Sequence, residues 1–263
     1  MIICENHVVS NVKMEFFYCP PQSISKEIIK IAGEEAYHIA KVLRHKVGDR
    51  ITAVDGLGME YDVRITLSSP ALVQGKIEKK KRKPREPLTQ VTLAQAIPKG
   101  VRMEFCVEKA TEIGVNRIIP IVTRRSVVFP DEEGEKIERL RRIALQAMKQ
   151  AGRAILPEIE GTRFFDEIFE AIPDYDLSLI ACEKEKKMGM KEIVKENLKS
   201  PISNLKSHKA LLFVGPEGGF TDEEVTLAIK KGAHPISLGA RRLRSETAGV
   251  VLTSLLLYEL GDL

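Results

Sequence analysis

Two glycine-bearing segments near the C-terminus hold the residues best suited to chemistry. The first reads Leu211-Leu212-Phe213-Val214-Gly215-Pro216-Glu217-Gly218-Gly219-Phe220-Thr221-Asp222-Glu223-Glu224. An apolar stretch runs into a glycine-rich turn, and Thr221 with Glu224 has the spacing of a capping box that starts a helix. Glycines at the carboxyl end of a strand let the backbone approach a ligand closely. A branched side chain at Gly218 is therefore expected to intrude on that space. No Lys-Ser or Lys-Thr follows and G-x-G-x-x-G is absent, so the turn lacks the marks of a phosphate cradle. A phosphate-free ligand such as S-adenosylmethionine suits it; a tight strand-to-helix turn with no ligand is the alternative.

The second segment is Ile236-Ser237-Leu238-Gly239-Ala240-Arg241-Arg242-Leu243-Arg244-Ser245-Glu246-Thr247-Ala248. A short strand ends in glycine, three arginines follow, and Ser245 is a good N-cap for a last helix. Arginines at a helix start sit at the positive end of its macrodipole and need anionic partners. RNA phosphate, a cofactor carboxylate or Glu246 would serve. A purely structural cluster of ion pairs is the plainer alternative.

Alternating elements must position these segments. Strand-like apolar runs are expected at 91–96, 117–122, 177–181, 210–214 and 235–238. Helical spacing is expected at 101–113, 132–150, 221–231 and 245–260. That alternation predicts an α/β domain with a mainly parallel sheet. Ala248, Val251, Leu252, Leu255 and Leu256 form a stripe on the last helix, wide enough for a core face or a dimer interface. Upstream, 49–54 and 60–65 alternate around Asp55-Gly56, a hairpin signal. A further strand is expected at 72–77 and a short helix at 34–43, which together predict a small β-barrel.

Charge separates the two parts. Residues 14–87 hold 14 Lys and Arg against 10 Asp and Glu, whereas 88–263 hold 26 of each, so the net +4 lies in the first third. Lys79, Lys80, Lys81, Arg82, Lys83 and Arg85 form one basic run beside Pro84 and Pro87. The run suits phosphate contact and equally a solvated linker. Cys4, Cys19, Cys106 and Cys182 and the five histidines are dispersed. Neither a disulfide framework nor a metal site is expected, which points to a reducing cytoplasm. No long apolar run predicts a membrane span, and the first 13 residues do not read as a signal peptide.

The two glycine segments together resemble the SPOUT-class methyltransferases, specifically the family that methylates N3 of a uridine in 16S rRNA. Further similar motifs are His38 with Val42-Leu43-Arg44, Met103-Glu104-Phe105 with Lys109, Glu112-Ile113-Gly114-Val115, and Gln150-x-Gly152-Arg153 before Pro157. They span residues 14 to 263. Lys149, Arg242 and Glu15 depart from the family's usual residues.

The resemblance implies a PUA-like RNA-binding β-barrel over 14–84 and a SPOUT α/β domain with a trefoil knot over 88–263. It implies a homodimer acting in the cytoplasm on 16S rRNA, within the small ribosomal subunit, with no metal. The cofactor S-adenosylmethionine would lie among three loops: Ala181, Cys182 and Glu183; Gly215, Pro216, Glu217, Gly218 and Gly219; and Leu238, Gly239, Arg241 and Leu243. Uracil N3 carries a proton, so the site needs a base or a cation that stabilises the uracil anion. Glu246 is the expected base, unless it only holds an arginine in place, and Arg244 is the expected cation. RNA contacts are expected from His38, Arg44, the basic run, Arg125 and Arg153. Methylation of a ribose 2′-hydroxyl, or a non-catalytic role in ribosome assembly, are the competing readings.

Overall fold

The computed structural model describes residues 15–127, 134–183, 189–197 and 208–263. The chain forms two compact units that divide between Pro84 and Arg85.

The first unit is a five-stranded sheet in the order β1-β3-β4-β5-β2. Its strands are β1 (Phe16–Tyr18), β2 (Ile28–Ala32), β3 (Arg50–Val54), β4 (Met59–Ser68) and β5 (Leu72–Arg82). All pairs are antiparallel except β1 with β3. Phe17, Ile29, Ile31, Ile39, Val63, Ile65 and Val73 fill its core. The helix expected at 34–43 is α1 (Gly33–Tyr37), and it widens into a π-turn over His38–Val42.

The basic run is not a linker, as one reading had it. Residues Lys79 to Arg82 end β5 and pair with β4, with Arg82 opposite Met59. Cross-strand partners explain why a lysine-rich segment holds a strand. The Lys81 ammonium lies 2.9 Å from the buried Glu60 carboxylate and 3.7 Å from Asp62, while Lys80 lies over the Tyr61 ring.

The second unit is a parallel seven-stranded sheet in the order β12-β10-β11-β6-β7-β8, with β9 also pairing with β7. Its elements are β6 (Gln90–Ala96), α2 (Arg102–Ile113), β7 (Arg117–Val122), α3 (Glu135–Gln150), β8 (Glu158–Ile159), β9 (Arg163–Phe164), α4 (Phe165–Ile168) with a 3-10 turn (Phe169–Asp174), β10 (Leu177–Ala181), α5 (Met190–Asn197), β11 (Lys209–Val214), α6 (Asp222–Lys230), β12 (His234–Ile236) and α7 (Ser245–Glu259). The start expected for α3 at Glu132 lies outside the described residues.

Strand side chains alternate between two apolar layers. Val91, Leu93, Ala210, Leu212 and Val214 face α2, α3, α5 and α7, while Ala94, Ala96, Leu211 and Phe213 face α4 and α6. Both faces are covered, which is why these strands read as continuous apolar runs. On α7, Leu252 and Leu256 are fully buried, whereas Leu255 is exposed, so the expected stripe divides between core and surface.

Gly249 lets α7 approach β6. A Cβ there would come within 2.4 Å of Gln95 Oε1 and 3.3 Å of Cys106 Sγ.

Candidate active site

Parallel strands send their following loops to one edge of the sheet, where ligands of α/β folds bind. Strands β12, β10 and β11 are neighbours, with Ala181 beside Ile236 and Ile180 beside Phe213. Segments far apart in the chain thus open side by side. The cleft between them is lined by all twelve residues expected to hold the cofactor: Ala181, Cys182, Glu183, Gly215, Pro216, Glu217, Gly218, Gly219, Leu238, Gly239, Arg241 and Leu243. Sequence reasoning missed Val214, Phe220, Asp222, Val225, Ser245 and Ala248, which line it too.

Local chemistry shapes the glycine turn. Thr221 Oγ1 accepts from the Glu224 amide at 3.2 Å, and Glu224 accepts from the Thr221 amide at 2.7 Å, the expected capping box. The other Glu224 oxygen takes the Arg124 amide at 2.9 Å. Gly219 and Gly239 have φ of 67° and 103°, where a Cβ would be strained. A Cβ at Gly218 would meet Arg125 Cβ and Cδ at 3.5 and 3.6 Å, ordinary contacts with a residue that shares the cleft lining. Arg125 itself lines the cleft and donates to the carbonyls of Gly218 and Phe220.

The expected cap at Ser245 is corrected. Helix α7 begins at Ser245 with Arg244 in the cap position and no side-chain cap. Ser245 is instead a latch: its hydroxyl donates to the Gly215 carbonyl at 2.5 Å and accepts from Gln95 Nε2 at 2.8 Å. Gln95 Oε1 accepts from Cys106 Sγ at 3.5 Å.

The expected base, Glu246, is not on the cleft wall. Its side chain is 7 % exposed, Oε1 lies 3.8 Å from Arg102 Nε, and Oε2 is buried with no hydrogen-bond partner among the described residues. Glu246 holds an arginine, but Arg102 rather than Arg241 or Arg244. Arg102 also donates through Nη1 to Glu217 Oε1 at 3.0 Å. Burial opposes the charge of Glu217. Its own amide, the Lys99 amide and Arg102 outweigh that and hold the carboxyl below the usual carboxylate range. Burial, with the Glu246 charge beside it, pushes the Cys106 thiol up to about 12.

The expected RNA-binding residues divide. His38 and Arg44 are exposed around the π-turn of the first unit, with the His38 ring edge-on to Phe17. Lys79, Lys80, Lys81, Arg82 and Lys83 are exposed as well. In the second unit Arg85 is exposed and donates to the Gly152 carbonyl; Arg244, the expected catalytic cation, is exposed in the cap position of α7. Arg153 is corrected. Its side chain is 3 % exposed, and the guanidinium pairs with the buried Glu86 at 2.7 Å and donates to the carbonyls of Thr111 and Val115. That side chain holds the core and cannot reach phosphate.

The cleft suits S-adenosylmethionine by its donor set. Val214, Phe220, Leu238, Leu243 and Ala248 offer an apolar wall for a flat base. Glu183, Glu217 and Asp222 offer negative charge for an ammonium and a sulfonium, and Arg125 and Arg241 offer positive charge for a carboxylate. Among the described residues no cluster of three or more His, Cys, Asp or Glu could hold a metal. No helix there is long and apolar enough to cross a membrane.

Comparison with known proteins follows the same lines. Residues 84–257 match the model of an RNA methyltransferase domain, and residues 31–78 that of an RNA methyltransferase PUA domain. The chain is 32% identical over 232 residues to ribosomal RNA small subunit methyltransferase E of Bacillus subtilis, covering 87% of this chain and 89% of that one. It is similar to a crystal structure of ribosomal RNA small subunit methyltransferase E from Neisseria gonorrhoeae bound to S-adenosylmethionine. There the TM-score is 0.79 at 26% identity, over 93% of this chain and 97% of that one. A methyltransferase from Legionella pneumophila in complex with the same cofactor matches with a TM-score of 0.78 at 30% identity, over 94% and 98% of the two chains.

Proposed function

The chain belongs to the ribosomal RNA small subunit methyltransferase E family of RNA methyltransferases, and from that premise we propose that it methylates N3 of a uridine in 16S rRNA with S-adenosylmethionine. The observation that carries this reading is the convergence of three loops, with Glu183, the Gly215–Gly219 turn and Gly239 among them, on one cleft, with an arginine held between two carboxylates beside it. When bound, the cofactor supplies an electrophilic methyl group. The loops of Ala181, Gly215 and Leu238 would hold it, and Ser245 fixes the glycine turn against them.

Uracil N3 is a poor nucleophile until it loses its proton, so stabilising the anion is the central demand on the protein. Arg244 and Arg125 stand at the surface near the cleft and suit the flanking phosphates. The exposed lysines of β5, with His38 and Arg44, suit a larger RNA footprint on the first unit. Positive charge along a strand draws phosphate in a salt-dependent way. The trefoil knot and the cytoplasmic homodimer implied by the resemblance belong to the same reading. The exposed Leu255 and Tyr258 of α7 offer apolar surface for a second copy.

The test is mass mapping of labelled methyl in 16S rRNA after reaction with the purified protein, presented both as free RNA and as small subunits. A single N3-methyluridine supports the reading. Methyl on a ribose 2′-hydroxyl, or no transfer by protein that binds RNA, refutes it.

A further inference from the structure

Arg102 sits where its own helix disfavours it. It is the first residue of α2, at the positive end of the macrodipole. Two carboxylates offset that position: Glu217 from the glycine turn at 3.0 Å and Glu246 from the first turn of α7 at 3.8 Å. Glu246 is nearly fully buried with one oxygen unpartnered among the described residues. Burying a carboxylate with a single long ion pair is costly, and proteins retain such costs where they serve a site.

The Arg102 side chain that lies between them is 39 % exposed. Nη1 is engaged by Glu217 and Nε faces Glu246, while among the described residues none accepts from Nη2. A guanidinium presents five donors in a rigid plane. Arg102 therefore offers an aimed, charged donor to solvent, one hydrogen bond away from the cofactor cleft through Glu217.

We propose that Arg102 is a catalytic residue, the cation that stabilises the uracil anion, with Glu217 and Glu246 as its positioning residues. This rests on the proposed reaction. In the step concerned the N3–H bond breaks, the proton passes to solvent water, and the electron pair stays on the ring, shared among N3, O2 and O4. A planar donor pair held at fixed height beside those oxygens lowers the energy of that anion without moving itself. The charged groups against Arg102 are Glu217 and Glu246, with Lys99 also facing Glu217 and the Cys106 thiol beside Glu246. Glu217 is held below the usual range and Cys106 is pushed up to about 12, so neither changes charge at assay pH.

The test compares wild type with Arg102→Gln and Arg102→Lys on 16S rRNA transcripts containing uridine or 5-fluorouridine, whose N3 is more acidic. Rates are measured from neutral to alkaline pH, and thermal melts confirm folding. Arg102→Gln should lower kcat at neutral pH by about 10²–10³-fold, the size seen when one oxyanion donor is removed. KM for S-adenosylmethionine should stay within about threefold. The deficit should shrink at higher pH and on the fluorinated RNA, because an intrinsically stabilised anion needs the cation less. Arg102→Lys should recover part of the rate. A deficit equal on both RNAs and at every pH overturns the assignment. So does a rise confined to the cofactor KM, which would make Arg102 a support for the cleft wall. Absence of N3 methylation by the wild type would instead sink the reading of the reaction itself.

Discussion

Replacing Ser245 by alanine tests whether the cofactor turn is held by a latch. The wild-type hydroxyl joins two otherwise separate elements, the Gly215 carbonyl after β11 and the Gln95 amide at the end of β6. Gln95 is fully buried, so its Nε2 cannot turn to water. It keeps a bond to the Ala96 carbonyl at 3.1 Å and a long one to the Ser245 carbonyl at 3.5 Å. Stranding a buried donor costs about 1–3 kcal/mol, and losing a neutral hydrogen bond about 1 kcal/mol more. A total near 2–4 kcal/mol is expected, which lowers the melting temperature by roughly 4–16 °C in a domain of this size. Freeing Gly215 should also slacken the turn and raise the Kd for S-adenosylmethionine about tenfold, since each tenfold is about 1.4 kcal/mol. Calorimetric titration and thermal melts read both effects. A cycle with Gln95→Ala should show a coupling above about 0.5 kcal/mol. A variant that melts within about a degree of wild type and binds cofactor equally well would refute the latch.

Other perturbations reach different parts of the molecule. Arg153→Ala should cost about 3–5 kcal/mol in denaturant unfolding, because it leaves Glu86 charged and buried; a loss under about 1 kcal/mol would contradict the clamp. Gly249→Ala should cost about 1–3 kcal/mol by overpacking α7 against Gln95 and Cys106, and a neutral result would mean that the helix shifts freely. Replacing Lys79, Lys80, Lys81, Arg82 and Lys83 by Gln should flatten the salt dependence of RNA binding, by about 0.7–0.9 in log–log slope for each phosphate no longer neutralised, with cofactor affinity unchanged; an unaltered slope removes β5 from the interface. Glu246→Gln should lose less than about tenfold in turnover, whereas a general base loses about 10²–10⁴. A loss of that larger size, vanishing toward alkaline pH, would restore the base.

The framework was legible where short-range rules governed it. Strands Arg117–Val122 and Leu177–Ala181 are buried on both faces and stand out as near-continuous apolar runs. The capping box of α6 depends on residues three apart and was read directly. Long-range partners were not legible. The β5 lysines looked like a linker because Tyr61, Glu60 and Asp62 hold them from another strand. Arg153 looked like a phosphate ligand because burial cannot be read from its neighbours. Arg102 attracted no notice at all, since its hydrogen-bonded partner Glu217 is 115 positions away. The segment Pro98-Lys99-Gly100-Val101-Arg102, with two basic residues at a helix start, was the available signal.

Helix α7 ties the two halves of the chemistry together in consecutive residues. Ser245 faces the cleft and holds the glycine turn, while Glu246 turns away toward Arg102 and Cys106. About 100° of helical rotation separates neighbouring side chains, so one rigid turn serves both directions. Arg102 closes the circuit by bonding Glu217, which belongs to that same glycine turn. Cofactor wall, latch, buried carboxylate and cation therefore form a continuous ring through Gly215, Ser245, Glu246, Arg102 and Glu217. A displacement of the turn on cofactor binding must move Arg102, or else strain a contact that the fold has already made. If Arg102 stabilises the uracil anion as proposed, methyl donor and acceptor would be positioned by one set of contacts, the alignment that transfer to nitrogen requires.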